Sequence, residues 1–376
     1  MRSRLAGAMA VVVTAAVVAF VPVGPSAEAA ATTAATTPAA PGSVVPDEDP
    51  FYAAPANIAS YEPGAVVDSR PVTLWSLGGP LVTRSWQVSY RSNDSHMNPK
   101  LDVTTLVVPT TPWHLGPRPV VSLQAAEDST GTRCAPSYAL LKGTDVQLPP
   151  MAAPMLAAGY ALAIPDHEGP KSAFLAGPNA GHAVLDGIRA IKSFGQGGVG
   201  TKNKWALAGY SGGAHATGWA AQMQPTYAPD VKLVGAAMGG TPSNPEAVGR
   251  YIDGGFFAGF EFAAAYGISQ EYPEAGIPDL LNAEGREAWK KMDGMCLADL
   301  IASFAFKKLE DHTDVPDPLS VPSVKAVISS ITMGASAPTT PIFSYHANTD
   351  EVVPVGQHNT LDRAWCGKGT RIKIHR

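Results

Sequence analysis

The stretch from Trp205 to Gln224 constrains the fold of this chain more than any other. The apolar run Trp205-Ala206-Leu207-Ala208 stops at Gly209-Tyr210-Ser211-Gly212-Gly213, and the residues from Gly212 to Gln224 read as a helix. The pentapeptide has the form G-x-S-x-G. Its glycines have a steric purpose, because side chains at the flanking positions would collide across a tight strand-to-helix turn. Such a turn holds the serine in a strained backbone conformation and lifts its Oγ into a cleft. The helix N-terminus then points at the hydroxyl, and the N–H of Gly212 can donate to a developing oxyanion. Ser211 is therefore the expected nucleophile. His215, four residues along the same helix, is expected to pack rather than to act as a base.

A strand feeding a helix through such a turn implies more units of the same kind. Short, uniformly apolar runs recur at Pro119 to Gln124, Tyr160 to Pro165, Leu233 to Gly239 and Pro341 to His346, with helical stretches such as Gly181 to Phe194 between them. Uniformly apolar strands alternating with helices predict a mostly parallel central sheet with helices on both faces. Upstream, Trp86 to Arg91 and Leu101 to Val108 flank Ser92-Asn93-Asp94-Ser95 and predict an antiparallel hairpin. An antiparallel pair leading into such a sheet is compatible with the α/β-hydrolase architecture. One segment breaks the alternation. Residues from about 241 to 335 look helical and include Phe256-Phe257-Ala258-Gly259-Phe260-Glu261-Phe262, so they are expected to form an inserted helical cap.

The first residues bear on the compartment. Arg2 and Arg4 precede an apolar run from Leu5 to Phe20, then the breakers Pro22, Gly24 and Pro25, then Ser26-Ala27-Glu28-Ala29-Ala30. That is the layout of a secretory signal peptide over residues 1–29, cleaved near Ala29, which predicts a secreted, extracellular protein. The run is shorter than the roughly 20 residues a membrane span needs. Residues 30–48, rich in Ala, Thr and Pro, read as a flexible tether, with the folded part starting at Asp49. A net charge of −5 argues against nucleic acid as a partner, since phosphate binding needs a basic surface. Three cysteines, Cys134, Cys296 and Cys366, leave one thiol unpaired in a setting that favours disulfides.

In an α/β-hydrolase the triad runs in the order Ser, acid, His. After Ser211 the best acid is Asp350, in the loop following the apolar run Pro341 to His346; Glu351 competes, and a turn or helix-capping Asp is the plain alternative. Only His358 and His375 come later. His358 falls in a helix expected on the outer layer, away from Ser211. His375 lies at the end of Arg371-Ile372-Lys373-Ile374, a last strand, where a general base would need a further loop to reach the serine. Asp166-His167-Glu168 follows a strand and reads as a hydrogen-bonding corner. No Cys/His spacing supports zinc and no phosphate loop is present, so neither metal nor cofactor is expected.

Taken together, several stretches resemble the secretory lipase family, whose fungal-type members are similar to lipase A. They are Asp49-Pro50-Phe51-Tyr52; Gln124 to Tyr138 with Asp128-Ser129 and Cys134-Ala135-Pro136-Ser137-Tyr138; Pro165 to Pro170; Leu185-Asp186-Gly187-Ile188-Arg189-Ala190; Gly209 to Gly213; and His346 to Pro354 with Trp365-Cys366. The resemblance implies an α/β-hydrolase core, a helical cap before the acid, and hydrolysis of triacylglycerols or other lipophilic esters, with transient contact at a lipid interface. It maps the nucleophile to Ser211 and the acid to Asp350. It makes Asp128 the second oxyanion-hole member beside Gly212, through a protonated carboxyl or its backbone N–H. Asp128 also follows the run Pro119 to Gln124, where this fold places its other donor. The resemblance further implies a Cys134–Cys296 disulfide. It places the catalytic histidine in a loop after the last strand, so a truncated C-terminus is expected, with that histidine beyond Arg376. Two other readings remain open: an esterase or acetylesterase on another lipophilic substrate, and a non-catalytic binder if the histidine is truly lacking.

Overall fold

The computed structural model describes residues 40–145 and 148–376. The expected leader, and the tether as far as residue 39, lie outside the described residues. The rest of the expected tether is built into the fold. Pro46–Glu48 form a short 3-10 turn with Pro46 buried, and Asp47 accepts a 2.7 Å hydrogen bond from Thr132 Oγ1. The ordered chain thus begins ahead of Asp49, because Pro46 finds an apolar site and Asp47 a donor.

Eleven strands follow among the described residues: β1 (Val66–Val72), β2 (Trp75–Ser76), β3 (Gly79–Pro80), β4 (Thr83–Asn93), β5 (Pro99–Pro109), β6 (Val120–Gln124), β7 (Ala161–Pro165), β8 (Trp205–Tyr210), β9 (Leu233–Gly239), β10 (Ile342–Tyr345) and β11 (Ile372–His375). β2 and β3 pair by themselves, and the other nine form one sheet in the order β1-β4-β5-β7-β6-β8-β9-β10-β11. The β1, β4 and β5 edge is antiparallel, and β5 meets β7 antiparallel. From β7 to β11 every pairing is parallel.

The predicted hairpin is present, with eleven-residue strands and its turn shifted to residues 94–98. Asp94 explains the shift. Its carboxylate accepts from the backbone N–H of His96 and of Asn98 at 2.9 and 2.8 Å, which closes the turn further along than the polar cluster implied.

Among the described residues there are ten helices: α1 (Pro136–Lys142), α2 (Leu148–Ala157), α3 (Gly177–Phe194), α4 (Gly212–Tyr227), α5 (Pro245–Ile252), α6 (Gly259–Glu271), α7 (Ala283–Met292), α8 (Leu297–Phe304), α9 (Pro322–Ser330) and α10 (Val355–Gly367). Both sheet faces are buried, and the strands alternate between two cores. In β7, Ala161 and Ala163 join the core that holds α3 and α4, whereas Leu162 and Ile164 join the core that holds α1 and α2. Val120 and Val121 of β6 divide the same way. A period of two with both phases apolar is what a covered parallel strand requires, and it explains why these runs read as continuously hydrophobic.

Helices α5 to α9 all lie between β9 and β10. Part of this segment has a core of its own, in which Phe262, Met292, Leu300 and Phe304 pack with Phe174 and Leu175.

Candidate active site

The turn after β8 has the strained geometry anticipated from its glycines. Ser211 sits at φ 54°, ψ −124°, between the last residue of β8 and the first of α4. Its N–H donates to Gly239 O at 2.9 Å, pinning the turn to the end of the neighbouring strand β9. A Cβ at Gly209 would overlap the Gly213 carbonyl, and one at Gly213 would overlap the Gln124 carbonyl. The residues around the serine are therefore small because three segments of backbone meet there. Strain of this kind costs on the order of 1–3 kcal/mol and persists only where the surroundings enforce it.

The loop after β6 brings Asp128 against the same turn. A Cβ on Gly212 would overlap Asp128 Oδ1. Asp128 is buried, has a positive φ of 44°, and its Oδ1 has no hydrogen-bond partner. Burial pushes its carboxyl up to about 7, so the group holds a proton through the mildly acid range. Behind it, Glu168 accepts from Ser129 Oγ at 3.1 Å and from Ser129 N–H at 3.4 Å. The Asp128 side chain lies directly against Gly212.

The Asp166-His167-Glu168 corner braces this loop from behind. Asp166 accepts from Ser137 N and Oγ at 2.8 and 2.5 Å. His167 Nε2–H donates to Ala125 O at 2.8 Å, and its backbone N–H donates to Glu127 at 2.7 Å. Burial pushes His167 down to about 4 and Glu127 and Glu168 well above the usual carboxylate range. These groups hold the loop through hydrogen bonds, as the sequence reading of a hydrogen-bonding corner anticipated.

Asp350 lies in the loop after β10. Its Oδ1 accepts from the N–H groups of Val352 and Val353 at 3.0 and 2.7 Å, and its Oδ2 is 3.3 Å from His346 Nε2. His346 is buried; its Nε2–H also reaches Val353 O at 2.8 Å, and its Nδ1 lies 2.7 Å from His358 Nδ1. His358 requires a correction. It is on α10 as expected but points inward, fully buried, with Ser344 Oγ at 3.1 Å. Its partners, Ser344 on β10 and His346 just after it, draw it under the helix rather than onto the outer layer. Burial pushes it down to about 3, so it is neutral. His215 accepts from Trp219 Nε1–H at 3.1 Å and is likewise buried and neutral, a packing residue as expected. His375 is exposed on β11.

Ser211, Gly212 and Asp128 line an apolar cleft. Val352 and Val353, from the Asp350 loop, line it too, and the remaining wall comes mainly from α5, α6, α9 and their connections. Among the described residues, no histidine lines this cleft. Asp94, His96 and Glu271 bring three possible metal ligands within 4.8 Å of one another, but Asp94 is engaged in closing the hairpin turn and His96 pairs with Glu274 at 3.0 Å.

Residues 139–376 match the family model described as secretory lipase. The secreted triacylglycerol lipase LIP1 of Malassezia furfur is 33% identical over 344 residues, spanning 87% of this chain and 70% of that protein. This chain belongs to the secretory lipase family. Its structure is similar to Candida antarctica lipase A with a TM-score of 0.82 and 34% identity, covering 88% of this chain and 80% of the other. The fold is accordingly that of an α/β-hydrolase. The chain is also similar to the probable inactive lipase MT1628 of Mycobacterium tuberculosis, 33% identical over 89% of this chain and 77% of that protein.

As the family resemblance implied, Cys134 and Cys296 form a disulfide, and Cys366 is free and exposed on α10. The bridge closes a junction between the Asp128 loop and the helices that follow β9. Thr130 N–H donates to Met295 O at 3.0 Å, Gly294 N–H returns a bond to Thr130 O at 3.2 Å, and Thr130 Oγ1 donates to Met292 O. Sequence reasoning passed over Glu168 as a brace for Asp128, and His346 as the neighbour of Asp350. The four-residue spacing from His346 to Asp350 was the available signal for the second.

Proposed function

We propose that this secretory lipase hydrolyses long-chain carboxylic esters, triacylglycerols among them, by acyl transfer through Ser211. The observation that carries the reading is the junction of a strained serine, a glycine N–H at a helix start and a buried carboxyl in the wall of an apolar cleft. Ser211 Oγ attacks the ester carbonyl and a histidine takes its proton. Gly212 N–H and the Asp128 carboxyl donate to the oxyanion, and water then releases the acid. Asp350 orients the histidine. In the Ser–acid–His order the base follows Asp350, and none of the described histidines is given the role. No cofactor or metal takes part in this scheme.

The cleft supports a lipid substrate because its walls are almost wholly aliphatic and aromatic. Near it, Phe256 and Phe306 stand exposed with ring centroids 5.9 Å apart, and Phe257 packs on Phe256 at 5.1 Å. An exposed aromatic cluster on the helical segment suits brief contact with a lipid surface, so we take residues 241–335 as the cap. The disulfide suits action outside the cell, with a leader removed near Ala29.

The test is hydrolysis of a long-chain ester emulsion by protein expressed from the complete coding region, beside Ser211→Ala and Asp350→Asn. Activity lost in the first and lowered at least about a hundredfold in the second supports the scheme. Equal activity in wild type and Ser211→Ala sinks it. One observation favours a second reading, since no described histidine lines the cleft: a secreted binder of lipophilic molecules would hold ligand equally well with either residue at 211.

A further inference from the structure

The wall of the cleft contains one polar group that its aliphatic neighbours do not explain. Glu261, on the first turn of α6, is 6% exposed, and its Oε2 is buried without a hydrogen-bond partner. It lines the cleft together with Val248 and Ile252 of α5 and with Leu309 and Leu319. The charged groups that face it are Asp253 and, more weakly, Arg250. Asp253, which receives Leu309 N–H at 2.9 Å, also shares a side-chain hydrogen bond with the Glu261 carboxyl, but that leaves Oε2 without a donor, and Arg250 is turned away to Glu246 and Asp317 at 3.0 and 3.1 Å.

We propose that Glu261 is a specificity-determining residue that recognises a hydroxyl group carried on the hydrophobic chain of the ligand. The inference rests on the cleft being the acyl-binding site. Burial and the neighbouring Asp253 push the Glu261 carboxyl up to about 9, so it keeps its proton and adds no bare charge to an apolar channel. What the pair of carboxyl groups lacks is an outside donor. A methylene chain alongside leaves Oε2 unsatisfied, whereas a hydroxyl donates to it. Since Ser211 and Glu261 line the same cleft at different fixed places, the preference depends on how many carbons separate the hydroxyl from the carboxyl carbon.

Calorimetric titration with free fatty acids tests this without requiring turnover. The probes are a plain long-chain acid and its monohydroxy isomers, with the hydroxyl walked along the chain. The wild type is expected to bind one isomer, or two adjacent ones, about tenfold more tightly than the plain acid. Glu261→Leu is expected to lose that optimum, and Glu261→Gln, which keeps an acceptor and a donor, to retain most of it. A flat series in the wild type overturns the proposal even if the leucine variant fails to fold. An optimum that survives in Glu261→Leu overturns it too. A positional optimum in protein that hydrolyses no ester supports the inference while removing the hydrolytic reading, and brisk hydrolysis with a flat series does the reverse.

Discussion

Gly212 and Asp128 are packed so closely that a single methyl group on the glycine would overlap the aspartate's Oδ1. The glycine of the G-x-S-x-G turn is thus fitted to a residue 84 positions earlier in the chain, and the contact holds both proposed oxyanion donors beside Ser211. Gly212→Ala should displace the Asp128 carboxyl into its buried surroundings. The expected result is a loss of about 10²–10³ in kcat, the worth of one oxyanion donor. The accompanying loss of stability should be only about 1–3 kcal/mol, as overpacking costs. Steady-state kinetics beside a thermal melt separates the two effects.

The Asp128 carboxyl sets a pH limit on the same step. Burial disfavours its charged form and raises it to about 7, so it can donate a proton below that pH and not above it. The kcat/KM of the wild type should therefore fall as pH rises through about 7. Asp128→Asn keeps an N–H donor that does not titrate, and should flatten that limb while retaining more activity than Asp128→Ala. An unchanged alkaline limb in the asparagine variant would show that another group sets it.

Reduction should loosen the join between the Asp128 loop and the helices after β9. Cys134 and Cys296 are 162 residues apart in sequence, and opening a bridge of that kind costs about 2–5 kcal/mol. Cys134→Ser/Cys296→Ser should melt several degrees lower than the wild type. Cys366→Ser, which removes a free exposed thiol, should melt with the wild type. Calorimetric scans with and without reductant check both statements.

The aromatic cluster at Phe256 and Phe306 should matter at an interface and not in solution. The two side chains are 53% and 69% exposed, so replacing both with serine removes little packing. Partition onto a triacylglycerol emulsion should drop severalfold, and hydrolysis of a soluble short-chain ester should hold within about twofold. A sedimentation assay with emulsion droplets measures the first, and a colorimetric ester the second.

Much of this was legible in the linear sequence because the physics concerned is local. The glycines around Ser211 marked a turn that no larger residue could occupy, and the doubly apolar runs marked strands covered on both faces. Asp350 was legible as a carboxylate in the loop after a strand, though its bonds to Val352, Val353 and His346 were not. The inward turn of His358 was missed because a helix position alone does not say which partner waits beneath it, and here Ser344 and His346 do.

The sequence by itself determined the strand–turn–helix unit at Ser211, the alternation that demands a covered sheet, and the cysteines available for bridging. These follow from sterics and hydrophobic period, which act over a few residues. Only the tertiary structure decided that the Asp128 side chain meets Gly212, that Glu168 braces the same loop through Ser129, and that Glu261 Oε2 stands without a donor in an apolar wall. Those outcomes depend on burial and on donors that arrive from distant parts of the chain. Desolvation sets the charge of a carboxyl only once the fold has surrounded it.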